Sequence, residues 1–481
     1  MTSAPSAERE TQLSTGVPGL DAVLGGGLPG RHVYLVQGRP GTGKTTMALQ
    51  FLRAGVERGE RCLFITLSQS RYELERIARS HGWTLDGIEV EELSTERAPE
   101  REQTVFYPID VDLDTTRKTI TDAIDRLKPQ RLVYDSMVEI RHIAQDDLLF
   151  HRELLSFKKF LHDRGVATYL IDLEPGGTGE LEMQSVAHGI FTLDVTLPTY
   201  GQARRRIDVS KMRGMRYYDG YHDLSITPER GVVVFPRIVP NQAPEAEQSE
   251  LVRSDVKALD DMLGGGLEAG TVTLMVGQSG TGKSTLSSLY AFSALKRGEA
   301  VTVFLFEERP ETFFRRSEGL QLPLRTFHEE GLLEIHDFNP NEVSQGRFSQ
   351  IAQHAADHQN ARVVVIDSLT GYLGGLAEPS EATVQMQLLL KYLSRSGVLT
   401  ILVVAQRGLL GEQTTSDVDV SFLGDTVILL RMSEAPGEIR RSITVVKKRH
   451  GPHDMDVQKL TITGDGVSIT PFSPPPQPQA G

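Results

Sequence analysis

Short apolar runs alternate with longer stretches of helical character along most of the chain. The runs "HVYLVQ" (32–37), "RCLFITL" (61–67) and "RLVYDS" (131–136) have the length and apolarity of buried strands. This alternation predicts an α/β fold in which a mostly parallel sheet is covered by helices on both faces. Two late runs, "GVVVFP" (231–236) and "DGVSIT" (465–470), are predicted as antiparallel additions at a sheet edge.

The chain contains the same unit twice. The segment "LGGGLPGRHVYLVQGRPGTGKTT" at 24–46 recurs as "LGGGLEAGTVTLMVGQSGTGKST" at 263–285, 239 positions later. Further along, "RLVYDS" matches "VVVIDS", "ATYLIDLE" matches "LTILVVAQ", and "RRIDVSKMRG" matches "RRSITVVKKRHG". A repeat of this extent predicts two domains with the same fold.

The repeat also predicts where the domains begin and end. We predict two tandem domains at 13–236 and 251–470. Residues 237–250 between them are acidic and contain proline, which is typical of a linker. Residues 1–12 have no apolar stretch of the signal-peptide kind, and residues 471–481 are rich in proline. Both ends are therefore predicted to be disordered.

Composition and charge exclude several classes of protein. Hydrophobic residues make up 39% of the 481 residues and charged residues 24%, which suits large globular cores. No apolar run is long enough to span a membrane, so we expect a cytoplasmic protein without a membrane partner. The formal net charge of −13 argues against non-specific nucleic-acid binding. Cys62 is the only cysteine, which excludes an internal disulfide, and it is interpreted as an inert core thiol.

Both repeats carry the phosphate-binding pattern G-x-x-x-x-G-K-[ST], between an apolar strand and a helical segment. Glycines there let backbone N–H groups point at phosphate oxygens at a helix N-terminus, and the lysine reaches the β- and γ-phosphates. A glycine-rich turn matching by chance is the alternative, and two copies in the same context argue against it. The predicted ATP contacts are Gly38, Gly41, Thr42, Gly43, Lys44, Thr45 and Thr46 in the first repeat, and Gly277, Gly280, Thr281, Gly282, Lys283, Ser284 and Thr285 in the second.

The same two regions predict a Mg²⁺ site in each repeat. The hydroxyl groups of Thr45 and Ser284 are in the position that contacts the metal in such loops. An aspartate at the end of an apolar strand is expected as a second contact, and Asp135 and Asp367 fit. An aspartate after a strand is often only a helix cap, but both repeats place it comparably, which favours the metal role.

The strand after each phosphate-binding helix ends differently in the two repeats. In the second repeat it ends in Glu307 and Glu308, which we predict orient and deprotonate the attacking water. A solvated acidic turn is the alternative. In the first repeat Ser68 and Gln69 take these places, and neither accepts a proton at neutral pH. The first half is therefore predicted to bind ATP but to hydrolyse it slowly.

Two other routes to hydrolysis in the first half stay open from the sequence. Gln69 is able to position water, as a glutamine does in some GTPases. Glu73 or Glu75 in the following helical segment is the other candidate base.

Each repeat also has a late K-x-R motif, Lys211 and Arg213 in the first and Lys447 and Arg449 in the second. Residues two apart in a strand point to the same face, so each pair presents two cations together. We predict that they supply the positive charge that phosphoryl transfer needs besides the lysine, on the nucleotide of a neighbouring subunit. A basic edge strand that is charged against aggregation is the alternative.

Together these motifs resemble the KaiC family of circadian-clock ATPases and its bacterial and archaeal relatives, in the RecA/RadA superfamily. The resemblance runs from about Leu13 to Thr470 and includes the tandem "LGGG", both phosphate-binding loops, both K-x-R pairs and both Walker B strands, which are the apolar strands that end in Asp135 and Asp367. It implies two RecA-like P-loop NTPase domains per chain, ATP and Mg²⁺ as cofactors, and a double-ring homo-hexamer. ATP would be bound between subunits, with the K-x-R pairs reaching across in trans.

The chain departs from this family at two places. The family norm is a Glu-Glu pair in both halves, so the resemblance recasts the first ring as a scaffold that binds ATP. In the clock protein the second domain is also an autokinase that modifies adjacent Ser and Thr. The matching segment here is "DVSFLGDTVILL", where Ser421 keeps the serine and Phe422 replaces the threonine. Single phosphorylation at Ser421, with Glu308 as base, stays open.

Three functions are therefore compared. The first is a hexameric ATPase that acts in ATP-dependent signalling or timing with an unidentified protein partner. The second is a RecA/RadA-like recombinase or helicase, which predicts basic loops after the strand that ends in the aspartate and after the next strand. The corresponding loops, "TGYLGGLAEPSEA", "RGLLGEQTTSDVDVS" and "EPGGTGELEMQS", are acidic and disfavour nucleic acid. The third is a nucleotide-gated scaffold without useful turnover, and the Glu307–Glu308 pair argues against it.

Overall fold

A computed structural model gives the structure of the chain, which divides into two compact units. One comprises residues 1–198 and 203–237, the other residues 199–202 and 238–481. Apart from Gln12 and Pro471, the predicted disordered ends lie outside the described residues, as do residues 241–249 of the predicted linker. The structure describes residues 12–93, 113–138, 141, 147–173, 180–198, 201–240, 250–339, 342–374, 379–406, 421–435 and 437–471.

The first unit contains a nine-stranded sheet with helices on both faces. The strands of this sheet are β3 (Val33–Gly38), β4 (Cys62–Thr66), β5 (Ile88–Glu92), β6 (Arg131–Asp135), β7 (Ala167–Asp172), β8 (Gly189–Thr196), β9 (Arg204–Met212), β10 (Tyr221–Thr227) and β11 (Gly231–Phe235). Two short strands, β1 (Gln12–Leu13) and β2 (Leu28–Pro29), pair with each other in a separate sheet. Its helices are α1 (Leu20–Val23), α2 (Lys44–Val56), α3 (Arg71–Ser80), α4 (Leu113–Leu127), α5 (Asp147–Asp163) and α6 (Glu180–Val186).

The second unit repeats this plan. Its strands are β12 (Leu251–Val252), β13 (Leu267–Glu268), β14 (Val272–Gly277), β15 (Ala300–Leu305), β16 (Leu333–Asp337), β17 (Ala361–Asp367), β18 (Leu399–Ala405), β19 (Thr426–Ala435), β20 (Glu438–Lys448), β21 (Gln458–Thr463) and β22 (Gly466–Pro471). Its helices are α7 (Lys257–Met262), α8 (Lys283–Lys296), α9 (Pro310–Glu318), α10 (Leu324–Glu329), α11 (Gln345–Asp357), α12 (Leu369–Gly374) and α13 (Pro379–Arg395). A single 3₁₀ turn at Ser421–Leu423 precedes β19.

The two large sheets have matching strand orders. The order in the first unit is β11-β10-β9-β8-β3-β7-β6-β4-β5. The order in the second unit is β22-β21-β20-β19-β14-β18-β17-β15-β16 when it is read from the equivalent edge. In the first unit β8, β3, β7, β6, β4 and β5 run parallel, and β9, β10 and β11 continue the sheet antiparallel. The predicted α/β class and the antiparallel edge strands are thereby confirmed.

Burial on both faces explains why the parallel strands are continuous apolar runs. In β4, Cys62 and Phe64 pack in the core on one face of the sheet, while Leu63 and Ile65 pack in the core on the other. In β15, Val303 and Phe304 divide between the two faces in the same way. Among the described residues, no helix has the length and apolarity to cross a bilayer.

Candidate functional site

A sharp turn joins each central strand to the helix that follows. Gly43 and Gly282 precede the first helical residues Lys44 and Lys283, with φ of 108° and 106°. These are left-handed conformations that a side chain rarely adopts. A Cβ on Gly43 would also lie 2.9 Å from the side chain of Ile226, and one on Gly282 would lie 2.5 Å from Ile462. The backbone conformation therefore favours glycine at both positions, and glycine leaves the N-termini of α2 and α8 open toward a phosphate.

The two loop lysines fold back onto their own loops. The Nζ of Lys44 donates to the carbonyl oxygens of Gly38 at 2.5 Å and Arg39 at 2.9 Å, and the Nζ of Lys283 donates to that of Gln278 at 2.7 Å. Burial lowers the pKa of Lys283, and the nearby Asp367 and Glu307 carboxylates oppose that effect. The buried ammonium of Lys283 is a strong attractor for phosphate oxygens.

The aspartate at the end of each adjacent strand lies beside the loop hydroxyl. The Oγ1 of Thr45 is 3.5 Å from Oδ2 of Asp135, and Ser284 hydrogen-bonds to Asp367. Burial raises the pKa of Asp367, and the charges of Glu308 and Glu307 raise it further. The Ser284 hydrogen bond and the charge of Arg316 lower it. A buried carboxylate whose charge is this disfavoured is suited to a cation, and the donors match those of Mg²⁺.

The protein supplies only part of such a metal site. Within the described ranges no group of three or more His, Cys, Asp and Glu side chains is arranged to hold a metal ion. One hydroxyl and one carboxylate per unit agree with the usual Mg²⁺ arrangement, in which phosphate and water complete the octahedron. The residues therefore fit Mg²⁺ that arrives with a nucleotide.

The carboxylates of the second unit differ in their partners. Glu307 is exposed, and its Oε1 accepts a hydrogen bond of 2.7 Å from the Ser368 hydroxyl. Glu308 is half-buried and pairs with Arg316, whose Nη2 lies 2.9 Å from Oε2 and whose Nε lies 3.3 Å from Oε1. Both oxygens of Glu308 are thus held by one guanidinium group.

These groups share one cleft of about 800 Å³, which is in the size range of small-molecule sites. Its lining includes Lys283, Ser284, Glu307, Glu308, Arg316 and Asp367. The strand that carries the carboxylates is not next to the loop strand: β17 and β18 separate β15 from β14. The carboxyl ends of parallel strands meet at one edge, so the groups still converge.

The first unit has the same backbone register without the carboxylates. Thr66 pairs with Asp135 as Leu305 pairs with Asp367, so Ser68 and Gln69 lie where Glu307 and Glu308 lie. The other candidate bases are held elsewhere. Both the backbone N–H and the hydroxyl of Ser70 donate to the Glu73 carboxylate in a capping box. Glu75 forms ion pairs with Arg71 and Arg79.

Lys447 and Arg449 lie outside the lining of this cleft, and both K-x-R pairs bind their own chain. Lys447 donates to the carbonyl oxygens of Gly424 at 2.7 Å and Ser421 at 3.3 Å, and Arg449 pairs with Asp425. Lys211 and Arg213 donate in the same way to the carbonyl oxygens of Gln184 and Ser185.

The alternative role of the K-x-R pair, as charges on a sheet edge, applies in the first unit only to one end of β9. Strand β9 lies between β8 and β10, but β10 pairs with it only from Arg205 to Asp208. The end of β9 that carries Lys211 is paired with β8 alone. The proposed trans role of these cations stays a prediction.

Two arginines at the loops were missed by the sequence analysis. The Nε of Arg441 donates to the carbonyl oxygen of Gly280 at 3.0 Å, and Arg205 donates to that of Gly41 at 3.4 Å. Each lies six residues before the lysine of its K-x-R pair, so the matched "RR" of the repeat was the available signal. Ser421 is exposed at the start of the 3₁₀ turn. Most of the loops that argued against nucleic acid lie outside the described residues.

Comparison with known proteins agrees with these features. The family model described as "ATPase: KaiC" matches residues 13–238 and again residues 252–473. The circadian clock protein KaiC3 of a Synechocystis strain is 27% identical over 468 residues, which cover 95% of this chain and 91% of that protein. The circadian clock oscillator protein KaiC of Prochlorococcus marinus is 27% identical over 467 residues, with 95% and 90% covered.

A third relative, the circadian clock oscillator protein KaiC of Parathermosynechococcus lividus, is 27% identical over 466 residues, with 95% of this chain and 84% of that protein covered. The family match is in two parts, and each part contains one phosphate-binding loop, one Walker B aspartate and one K-x-R pair. The predicted resemblance is confirmed: the chain belongs to the KaiC family of ATPases.

Proposed function

We propose that the cleft of the second unit hydrolyses Mg-ATP, and that the first unit binds ATP without comparable turnover. One observation carries this proposal: the cleft that contains Lys283 also contains two carboxylates, whereas the first unit has Ser68 and Gln69 at the same register. Phosphate binding needs the loop and its lysine, which both units have. Proton removal from water needs a base, which the second unit alone has at this position.

Five polar residues of the second cleft have a part in this reaction. Lys283 exchanges its carbonyl partner for the β- and γ-phosphate oxygens, which raises the lysine pKa back toward its usual value. Ser284 and Asp367 would hold Mg²⁺, which would supply positive charge to offset that of the phosphates. Glu308 orients the attacking water and receives its proton, and Glu307, restrained by Ser368, is the second acidic group at the same edge.

We also propose that the chain acts as a homo-hexamer with ATP at subunit boundaries. Within their own chain Lys447 and Arg449 lie outside the lining of the second unit's cleft, so they have no direct part in the reaction there. A neighbouring subunit is the place where Lys447 and Arg449 would meet a γ-phosphate, and Lys211 and Arg213 would do so for the first unit. The relatives are named as clock proteins, and we propose ATP-dependent signalling or timing through an unidentified protein partner.

Steady-state hydrolysis tests the division of labour between the units. Turnover and particle size by light scattering are measured for the intact protein, Lys283→Ala and Lys44→Ala, with the exposed Lys257→Ala as control. We expect Lys283→Ala to abolish turnover and Lys44→Ala mainly to disrupt the oligomer. Loss of turnover from intact Lys44→Ala oligomers would place hydrolysis in the first unit and refute the proposal.

A second activity is supported by the position of Ser421. Its carbonyl oxygen accepts a hydrogen bond from Lys447, so a lysine proposed to meet a neighbour's γ-phosphate lies beside an exposed serine. We propose that Ser421 is phosphorylated by transfer from that nucleotide, with Glu308 of the nucleotide-binding subunit as base. Mass spectrometry after incubation with ATP should find one phosphate at Ser421 and none in Glu308→Gln. A phosphate that persists in Glu308→Gln would contradict this.

A further inference from the structure

Both carboxylate oxygens of Glu308 accept hydrogen bonds from one arginine, Arg316. Arg316 reaches it from α9, which begins at Pro310 directly after the carboxylate segment. The Nη2 and Nε of Arg316 lie 2.9 Å and 3.3 Å from the two oxygens, and the two side chains are 24% and 22% exposed. This is the two-point geometry of an arginine fork on a carboxylate, and it is partly screened from water.

Arg316 is itself held by its surroundings. Its Nη1 donates to the Ser288 hydroxyl at 3.4 Å, on the helix that starts at the phosphate-binding loop. Its guanidinium lies 5.3 Å from the centre of the Phe313 ring, one turn earlier in α9. The guanidinium group is therefore held by contacts with α8 and α9, and it restrains Glu308 in turn.

A two-point restraint matters for a base because it selects one orientation of the carboxylate. A single ion pair leaves a carboxylate free to rotate about its last bond, whereas a fork fixes its plane. Each carboxylate oxygen has two lone pairs, and the fork occupies one of them on each oxygen. The other lone pairs then stay in a fixed direction, and Glu308 and Arg316 both line the cleft.

We propose that Arg316 is a positioning residue for Glu308, which fixes the base toward the attacking water and is fixed in turn by Ser288. This inference rests on the proposed function of the second cleft. It adds a second requirement to the presence of the carboxylate. Glu308 works as a base only when Arg316 and Ser288 hold it in a network of three polar side chains.

The first unit supports this reading, because it lacks the whole network. Helices α2 and α8 both start at the loop lysine, so Leu49 takes the place of Ser288. Helices α3 and α9 start at the same distance from the strand before them, so Ile77 takes the place of Arg316. Leu49 is fully buried, and Ile77 packs against the core. The base and both of its supports are missing together.

The test compares Arg316→Gln, Arg316→Lys and Glu308→Gln with the double variant Glu308→Gln/Arg316→Gln, with Arg315→Gln on the exposed face of α9 as matched control. We expect Arg316→Gln to lower kcat by roughly 10- to 100-fold, as is usual when a supporting partner is lost. KM and the Kd for ATP should stay unchanged. Lysine keeps the charge but not the fork, so Arg316→Lys should recover little of the loss.

The double variant separates positioning from independent effects. If Arg316 acts through Glu308, removing it from Glu308→Gln has no further effect on kcat. Losses that multiply in the double variant, or a rise in ATP Kd, would overturn the proposal. Faster turnover in Arg316→Gln would also overturn it and would make the ion pair a brake.

Two further results keep the test decisive. If Arg316→Gln does not fold, Ser288→Ala replaces it, with a smaller expected loss of kcat. If Glu308→Gln itself keeps full turnover, the proposed function fails. If Glu308→Gln is inactive while Arg316→Gln and Ser288→Ala match the intact protein, only the positioning role fails.

Discussion

The two units share one backbone frame, but only the second has the carboxylates that we propose for hydrolysis. Both units have the glycine-rich loop, its lysine, the hydroxyl after that lysine and the strand-end aspartate, at matched registers. At the cleft, the two units differ at the end of one strand and in the two helices beside it. There the second unit has the network of Glu308, Arg316 and Ser288, and the first has Gln69, Ile77 and Leu49.

This difference shows that the groups for nucleotide binding and those for proposed hydrolysis are structurally separable. The loop depends on glycine geometry at a helix N-terminus, which is local in sequence. The base network depends on side chains from a strand end and two helices, which the fold brings together. Substitution of one member leaves the others without partners, so loss of the entire network is the stable outcome. The apolar Leu49 and Ile77 join the core instead.

A second difference between the units is a buried residue of the central sheet, Arg131 in β6 of the first unit and Val363 in β17 of the second. Arg131 is fully buried and pairs with Glu60 at 2.5 Å, while its guanidinium donates to the carbonyl oxygens of Ser14 and Phe51. Counting back from the strand-end aspartates, the equivalent position in the second unit is Val363, which is buried in an apolar core. The first unit thus ties its N-terminal segment to α2 with a buried ion, and the second does not.

The largest expected effect comes from removing the base. Glu308→Gln should lower turnover by about 10²- to 10⁴-fold, because general-base catalysis contributes that much, and ATP binding should be unchanged. The matched change in the other unit, Gln69→Ala, should leave total turnover within error. Steady-state ATPase assays and equilibrium nucleotide titration measure both. Equal losses in the two variants would remove the contrast between the units.

The next effect is a gain from transplanting the network. In a Lys283→Ala background, Ser68→Glu with Gln69→Glu should give the first unit measurable turnover. Adding Ile77→Arg should raise it by a further ~10-fold or more, because the new base then has its fork. Thermal unfolding controls for the cost of placing arginine against the core. No difference between the two sets of variants would weaken the positioning role of Arg316.

A stability measurement sharpens the contrast at Arg131. Glu60→Ala leaves a buried guanidinium without its carboxylate and should lower the free energy of unfolding by about 3–5 kcal/mol. Glu299→Ala, the equivalent change in the second unit, removes an ion pair with Arg297 whose side chains are 38% and 29% exposed. That pair is worth at most about 1 kcal/mol. Chemical denaturation of both variants tests this. Equal losses of unfolding free energy in the two variants would mean that water solvates the Arg131 guanidinium once Glu60 is removed.

The smallest effect concerns Cys62, whose counterpart in the second unit is Val301. Both are buried, and burial raises the pKa of Cys62 to about 12. The unfolded thiol ionises near pH 8.5, so above that pH the unfolded state loses a proton that the folded state keeps. Stability should therefore fall from about pH 8.5 upward by this contribution, and Cys62→Ala should lack it. Rapid modification of native Cys62 by a thiol reagent at pH 8 would contradict its burial.

Much of the fold followed from the sequence because its signals are local. The period of apolar residues predicts strands and helices, and a repeat in register predicts two copies of one α/β fold. The phosphate-binding loops were predicted from glycine positions that only one backbone geometry explains, as at Gly43 and Gly282. The missing carboxylates were also visible, because Ser68 and Gln69 stand in a matched motif.

Other features required the tertiary structure, because they join residues that are distant in sequence. Only the sheet order brings Glu307 to Ser368, and only the packing of α9 on α8 brings Arg316 to Ser288. The same holds for Arg205 and Arg441 on the loop carbonyls, and for the binding of Glu73 in a capping box that removes it as a base. Sequence by itself determined which groups each unit possesses. Tertiary structure decided which of them act together, because contact energies fall off within a few ångströms and the fold alone sets those distances.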